Sequence, residues 1–193
     1  MKKFLILGFL IAIALTSVNA QGLYFDAGIG VGLPTTKLSG TKVSFSSANF
    51  TEIGYDLGLK VGFGPIVGLP LYAVGAFGFT GHRFSDSAND HITFNSFLLG
   101  GGVIFYPIPL IQVAGSIGYS FVANDTSIPG FTFYKSEGGF AYEVSVAADL
   151  GFGNSGILLG AKYFGAINTL ETSKVKQDQS YIGVFVRYAL RNK

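Results

Sequence analysis

The stretch Ile53-Gly54-Tyr55-Asp56-Leu57-Gly58-Leu59-Lys60-Val61-Gly62-Phe63 is apolar at every odd position and carries Gly or a charge at every even one. Successive side chains of a β-strand point to opposite faces, so this segment has one greasy face and one small or polar face. The same period of two recurs as Leu23, Phe25, Ala27, Ile29, Val31 and Leu33 opposite Asp26 and glycines. It recurs again over 111–121, 140–152 and 182–190. Three further segments, 71–81, 96–106 and 157–165, alternate less cleanly because Val74, Leu98, Leu158 and Phe164 fall on the polar face. Eight strands are expected.

The non-apolar face decides what surrounds the sheet. In a soluble barrel or sandwich the apolar face is the packed interior and the outside carries charge. Here the second face is dominated by Gly, Ser and Ala, including Gly28, Gly30, Gly54, Gly58, Gly62, Gly102, Gly118, Gly151 and Gly183. Such a face suits the crowded inside of a narrow barrel, with the apolar face turned to lipid. Closure is then obligatory, because an open sheet edge in hydrocarbon leaves backbone groups unpaired. Outward aromatic residues near the strand ends form candidate interfacial girdles: Phe25, Phe63, Phe105, Phe152 and Tyr188 at one end, Tyr55, Phe79, Phe97, Tyr119 and Tyr142 at the other.

The connections alternate in length. Pro34–Glu52, His82–Asn95, Asn124–Gly139 and Asn168–Ser180 are long and polar, whereas Gly64–Pro70, Pro107–Pro109 and Gly153–Gly156 are short. Short periplasmic turns and long outer loops are the habit of outer-membrane barrels. An even strand number then places both termini in the periplasm. Proline is expected only in these loops and turns.

Met1-Lys2-Lys3, the uncharged run Phe4–Leu15 and the small residues Val18 and Ala20 form a secretory signal, residues 1–20, cut after Ala20. Its apolar run is too short to cross about 30 Å of hydrocarbon as a helix. Removing it leaves residues 21–193 with eleven basic and eleven acidic side chains, so the mature chain is neutral and offers no stripe for nucleic acid. With no cysteine, disulfides and thiolate metal sites are excluded.

Residues 21–193 resemble the small bacterial outer-membrane barrels of the OmpA/OmpX, opacity-protein and OmpW class. The features that carry the resemblance are the Val18-Asn19-Ala20 cut, eight alternating strands, alternating connection lengths and a final strand Tyr181–Leu190. It implies an eight-stranded antiparallel transmembrane barrel of up-and-down order, in contact with outer-membrane lipid and lipopolysaccharide and with the barrel-assembly machinery. A terminal aromatic residue is common in such proteins; this chain ends Tyr188-Ala-Leu190 followed by the polar Arg191-Asn192-Lys193.

No catalytic constellation stands out. The two histidines, His82 and His91, fall in one expected loop with Arg83, Ser85, Asp86 and Asp90, and His82-Arg83-Phe84-Ser85 does not match the pattern of the lipid A deacylase barrels. Asp86–His91 lacks the Gly and Glu of a calcium loop, and Gly28-Ile29-Gly30-Val31-Gly32 lacks the spacing and following helix of a nucleotide loop. The sequons at Asn49 and Asn124 are incidental in a bacterial barrel. No cofactor or metal is called for.

The informative residues are the inward charges. Alternation aims Asp26, Lys60, Asp149, Lys162 and Arg187 into the half of the lumen near the short turns, with Asp56 and Glu143 higher up. Asp26 is expected to meet Lys60 on one neighbouring strand and Arg187 on the other, and Asp149 to pair with Lys162 across one hairpin. In the loops, Phe45, Phe50, Phe131, Phe133 and Tyr134, with Val43 and Ile128, are candidate contacts for an extracellular host ligand, or pack over the barrel mouth. Eight strands enclose little more than their own side chains, which favours a monomeric structural and surface-interaction barrel with a blocked lumen. The alternative is a narrow OmpW-like channel for small solutes.

Overall fold

A computed structural model describes residues 22–38, 41–42, 51–66, 68–85, 91–127, 136–170 and 176–191. The signal segment and the loop aromatics Phe45, Phe50, Phe131, Phe133 and Tyr134 lie outside the described residues, as do Val43 and Ile128. Eight long strands form, β1 (Gly22–Leu38), β2 (Thr51–Gly64), β3 (Leu71–Ser85), β4 (His91–Ile108), β5 (Ile111–Val122), β6 (Ser136–Phe152), β7 (Ser155–Leu170) and β8 (Lys176–Arg191). Two short ladder pieces, Thr41–Lys42 and Asp125–Thr126, pair with the outer ends of β1 and β4. Each strand pairs antiparallel with the next, and β8 pairs with β1, so the sheet closes on itself.

The strands outrun the expected ones at the loop end. β1 runs to Leu38, β3 to Ser85 and β7 to Leu170, while β4 starts at His91 and β8 at Lys176. The apolar–polar alternation fades there because the outward row turns polar while the inward row stays buried, as at Gln177 and Gln179, and the backbone ladder continues. Pro34, expected in a loop, therefore sits in β1 opposite Tyr181, and Pro107 falls in β4 near its end. A spanning strand needs about 9–11 residues. Strands of 12 to 18 residues project beyond the bilayer.

Following register partners from Asp26 through Lys60, Ala76, Gly100, Gly118, Ala141, Ala166 and Gln179 leads back to β1 at Thr36, ten residues beyond the start. That stagger inclines the strands roughly 35–45° to the barrel axis. Residues facing each other in register consequently stand at different heights.

The apolar face is outside. Thirty large hydrophobic side chains are exposed among the described residues, with Ile29, Leu33, Ile117 and Ile182 each more than 60% accessible. A water-facing surface of this kind would be untenable for a monomer, because soluble proteins rarely expose apolar patches beyond a few hundred Å². The loop-side girdle is a run of touching rings, Tyr55–Phe79 at 5.9 Å and Phe79–Phe97 at 4.8 Å. Val74, Leu98, Leu158 and Phe164, the residues that blurred the alternation, are buried inside, each in a small apolar cluster with inward alanines or aromatic rings.

The inward glycines make room for long side chains. A Cβ at Gly58 would stand 2.6 Å from Nη2 of Arg187, and one at Gly54 2.6 Å from the Tyr181 ring. Outward Gly115 has nothing within 4 Å of such a Cβ. Overpacking a filled interior costs about 1–3 kcal/mol. Gly58→Leu is expected to lose about that much in urea unfolding from lipid vesicles, and Gly115→Leu to lose nothing; equal losses would mean the interior is not close-packed.

Candidate functional site: charged side chains filling the lumen

Strand parity places eight charged side chains inside the barrel. They are Asp26 on β1, Asp56 and Lys60 on β2, Glu143 and Asp149 on β6, Lys162 on β7, and Arg187 and Arg191 on β8, all buried. Glu143 is the centre of the larger group. Lys60 Nζ donates to its Oε1 at 2.8 Å, Lys162 Nζ to its Oε2 at 3.0 Å and Arg187 Nη2 to its Oε1 at 3.2 Å. Lys162 Nζ also lies 3.1 Å from Asp56 Oδ2. Arg187 Nη1 lies 3.6 Å from Asp26 Oδ1, beyond hydrogen-bond reach, so that contact is Coulombic.

Three carboxylates thus face three cations, and the group is neutral. Burying an ion costs several kcal/mol unless partners replace its water. The glycines supply the space: Asp56 occupies the side-chain position missing at Gly30, and Arg187 those missing at Gly28 and Gly58. The Arg187 guanidinium also lies 4.4 Å from the centre of the Phe185 ring.

The pairing differs from the sequence expectation in three places. Asp26 does meet Arg187, but Lys60, its register partner, gives its ammonium to Glu143 across the lumen. Asp149 and Lys162 do not pair. Asp149 stands opposite Leu158 while Lys162, four residues further along β7, stands opposite Ser145; Asp149 forms its ion pair with Arg191 instead. Asp56 and Glu143, expected higher in the lumen than the other charges, share the central group with Lys60, Lys162 and Arg187. Long side chains on inclined strands reach across a narrow lumen more readily than along one hairpin.

Toward the turns, a collar of hydrogen-bonded side chains built around three tyrosines lies beneath this group. Tyr24 Oη donates to Asp26 Oδ2 at 2.9 Å, Gln112 Nε2 donates to the hydroxyls of Tyr24 at 2.7 Å and Tyr106 at 2.9 Å, and Arg191 Nη1 donates to Tyr106 at 3.2 Å. Tyr72 packs between the other two rings, 5.2 Å from Tyr24 and 5.9 Å from Tyr106. Below the collar a recess of about 430 Å³ opens between the β2–β3 and β4–β5 turns. Toward the loops, Leu98, Phe164 and Tyr181 cover the charges, and His82 stacks on Tyr181 at 6.3 Å. Higher still, Phe84 and Phe94 pack edge to face at 5.8 Å, Gln179 Nε2 donates to the Phe94 carbonyl at 2.9 Å, and Asn124 Nδ2 to Gln177 Oε1 at 2.8 Å. The lumen is filled by side chains at three successive levels.

The histidines are not together in a loop. His82 is enclosed in the lumen on β3, and His91 begins β4 at the rim, where its Nε2 lies 3.9 Å from Asp125. Of the segment Asp86–His91 considered for calcium, residues 86–90 lie outside the described residues.

Several members of the site escaped the sequence reading. Arg191 reads in the sequence as the start of a polar tail, yet it continues the inward parity of Arg187 and Ala189. Tyr24, Tyr72, Tyr106 and Tyr181 also obey that parity; an aromatic ring on the polar face was the available signal.

Fold and lumen together define a closed, membrane-spanning eight-stranded β-barrel whose polar interior is occupied by its own side chains. No protein-family model matches the chain, and no curated protein does. Among solved structures it is similar to Ail, the attachment invasion locus protein of Yersinia pestis, with 17% identity over 86% of this chain and 98% of Ail and a TM-score of 0.54. The structure of Ail in complex with the heparin analogue sucrose octasulfate gives a TM-score of 0.53 over the same shares. Neisserial surface protein A is similar over 85% of this chain and 96% of its own, at 14% identity and a TM-score of 0.49. The chain has the fold of the small bacterial outer-membrane β-barrels.

Proposed function

We propose that this chain is an integral outer-membrane barrel with a structural and surface-interaction role and a lumen sealed against solutes. The observation that carries the reading is the convergence of Lys60, Lys162 and Arg187, from three strands, on the single buried carboxylate of Glu143. The refolded protein is expected to show no steady unitary conductance in planar bilayers. A stable ohmic step would favour the narrow-channel alternative. The central charges are paired with one another, which supports a non-catalytic role.

The loop end is taken as extracellular and both termini as periplasmic, because the connections at one end are short and an even number of strands returns the chain to its starting side. Tags at Lys42, Asn89, Ser136 or Lys174 are expected to be reachable on intact cells, and tags at Gly68 or Asn154 shielded. Ready labelling at Gly68 with none at Asn89 would reverse the orientation.

Within this reading, outer-membrane lipid and lipopolysaccharide surround the apolar belt and the assembly machinery inserts the chain. A closed sheet leaves no edge to pair with a second copy, so the barrel works as a monomer. Ail has been solved with a heparin analogue. With residues 21–193 balanced at eleven basic and eleven acidic side chains, Phe45, Phe50, Phe131, Phe133 and Tyr134 in the loops are the favoured contacts for an extracellular host ligand, rather than a basic patch.

A further inference from the structure

The three short turns differ in chemistry. Pro65-Ile66-Val67-Gly68-Leu69-Pro70 and Pro107-Ile108-Pro109-Leu110 contain no polar side chain and hold four of the chain's six prolines. Leu69, Ile108 and Leu110 are 57%, 54% and 63% exposed. The third turn, Gly153-Asn154, is polar and sits beside Arg191, whose backbone N–H donates to the Asn154 carbonyl at 2.8 Å. No Asp, Glu, Lys or Arg occurs between Lys60 and Arg83, or between His91 and Asp125. One side of the barrel's turn end is therefore apolar and the other polar.

The backbone of the apolar turns is also prepared for a dry environment. Each proline removes an N–H that would otherwise need a partner. Several of the remaining groups are bonded within the protein. Ile66 N–H donates to the Leu71 carbonyl at 2.9 Å, Leu69 N–H to that of Ile66 at 2.9 Å, and Tyr106 N–H to that of Pro70 at 2.9 Å. The Leu110 carbonyl accepts from Asp149 N–H at 2.8 Å. Irregular backbone is tolerated at membrane depth only where its polar groups are satisfied.

We propose that the β2–β3 and β4–β5 turns are immersed in the lipid leaflet at the turn end, as a downward continuation of the exposed belt that ends in Val61 and Phe105. The occupant of this surface is lipid. The β6–β7 turn, lacking the apolar side chains, stays in water, so the belt is deeper on the β2–β5 side and the barrel sits inclined to the bilayer normal. The inference rests on the membrane-spanning reading above.

The sequence has no tryptophan, so single-tryptophan variants give a clean signal. Leu69→Trp, Leu110→Trp and Asn154→Trp are compared, after refolding, in phosphatidylcholine vesicles containing acyl-brominated lipid, with Ile117→Trp in the middle of the belt as control. Leu69→Trp and Leu110→Trp are expected to emit at shorter wavelength, to lose several-fold more intensity to brominated lipid than Asn154→Trp, and to resist acrylamide. If both are as open to acrylamide as Asn154→Trp while Ile117→Trp is quenched by lipid, the immersed turns are overturned and the barrel reading stands. Protection of both from acrylamide and from brominated lipid would overturn lipid as the occupant in favour of a second copy of the chain. An Ile117→Trp that brominated lipid fails to quench would overturn the membrane-spanning reading as well.

Discussion

Replacing Glu143 with Gln lowers the unfolding free energy in lipid by about 3–5 kcal/mol, the cost of leaving buried charge without its partner. The size follows from what remains. Lys60 loses the carboxylate it faces, Lys162 retains Asp56, and Arg187 retains the longer contact to Asp26. Urea unfolding of refolded protein in vesicles, followed by the mobility shift of unboiled samples, reads the change. If the lumen were open to water, screening would reduce the loss to about 1 kcal/mol or less, and the sealed reading would fail. A double-variant cycle of Asp26→Ala with Arg187→Ala adds a second reading. Strongly non-additive losses are expected from a direct pair, whereas additive ones would show that the 3.6 Å contact carries no energy.

Arg191→Leu is expected to destabilise the barrel by a comparable amount, because it strands Asp149, whose carboxylate is buried at the turn end of the lumen. Adding Asp149→Leu is expected to recover most of the loss. Asp149 stands opposite Leu158, which packs with Ala147, Phe185 and Ala189, so an apolar replacement meets apolar neighbours. Apolar substitution of a buried ion pair is often neutral or stabilising. A double variant no more stable than Arg191→Leu alone would mean that the pair is needed in itself, through the Tyr106 hydroxyl that Arg191 also holds.

Parity made the strands and the inward set legible: Ile53–Phe63 states the rule, and the seven charged residues aimed inward by alternation are all buried. The partners were not legible. Parity says which way Lys60 points, but its choice of Glu143 over Asp26 depends on the ten-residue stagger and on reach across the lumen, neither of which leaves a local mark. Strand ends were misjudged for a related reason. Alternation records contact with lipid, so it fell silent at Thr35–Leu38 and at Lys176–Ser180, where the ladder persists in water. Arg191 escaped because the outward apolar row stops at Leu190, one residue before the inward row does.

The β1–β8 ladder runs from Tyr24 with Arg191 to Leu38 with Gln177, joining the earliest and latest strands of the chain. The buried charges follow the order in which those strands are made. Asp26, Asp56 and Lys60 leave an excess of one negative charge after the first five strands, Glu143 and Asp149 raise it to three, and Lys162, Arg187 and Arg191 cancel it. An unfinished chain thus carries acid with no counterion and a sheet with two bare edges, each prohibitive in hydrocarbon. Only the arrival of β7 and β8 removes both obstacles at once. Charge balance in the interior is therefore reached only with β7 and β8 in place, and β8 is also the strand whose pairing with β1 closes the sheet.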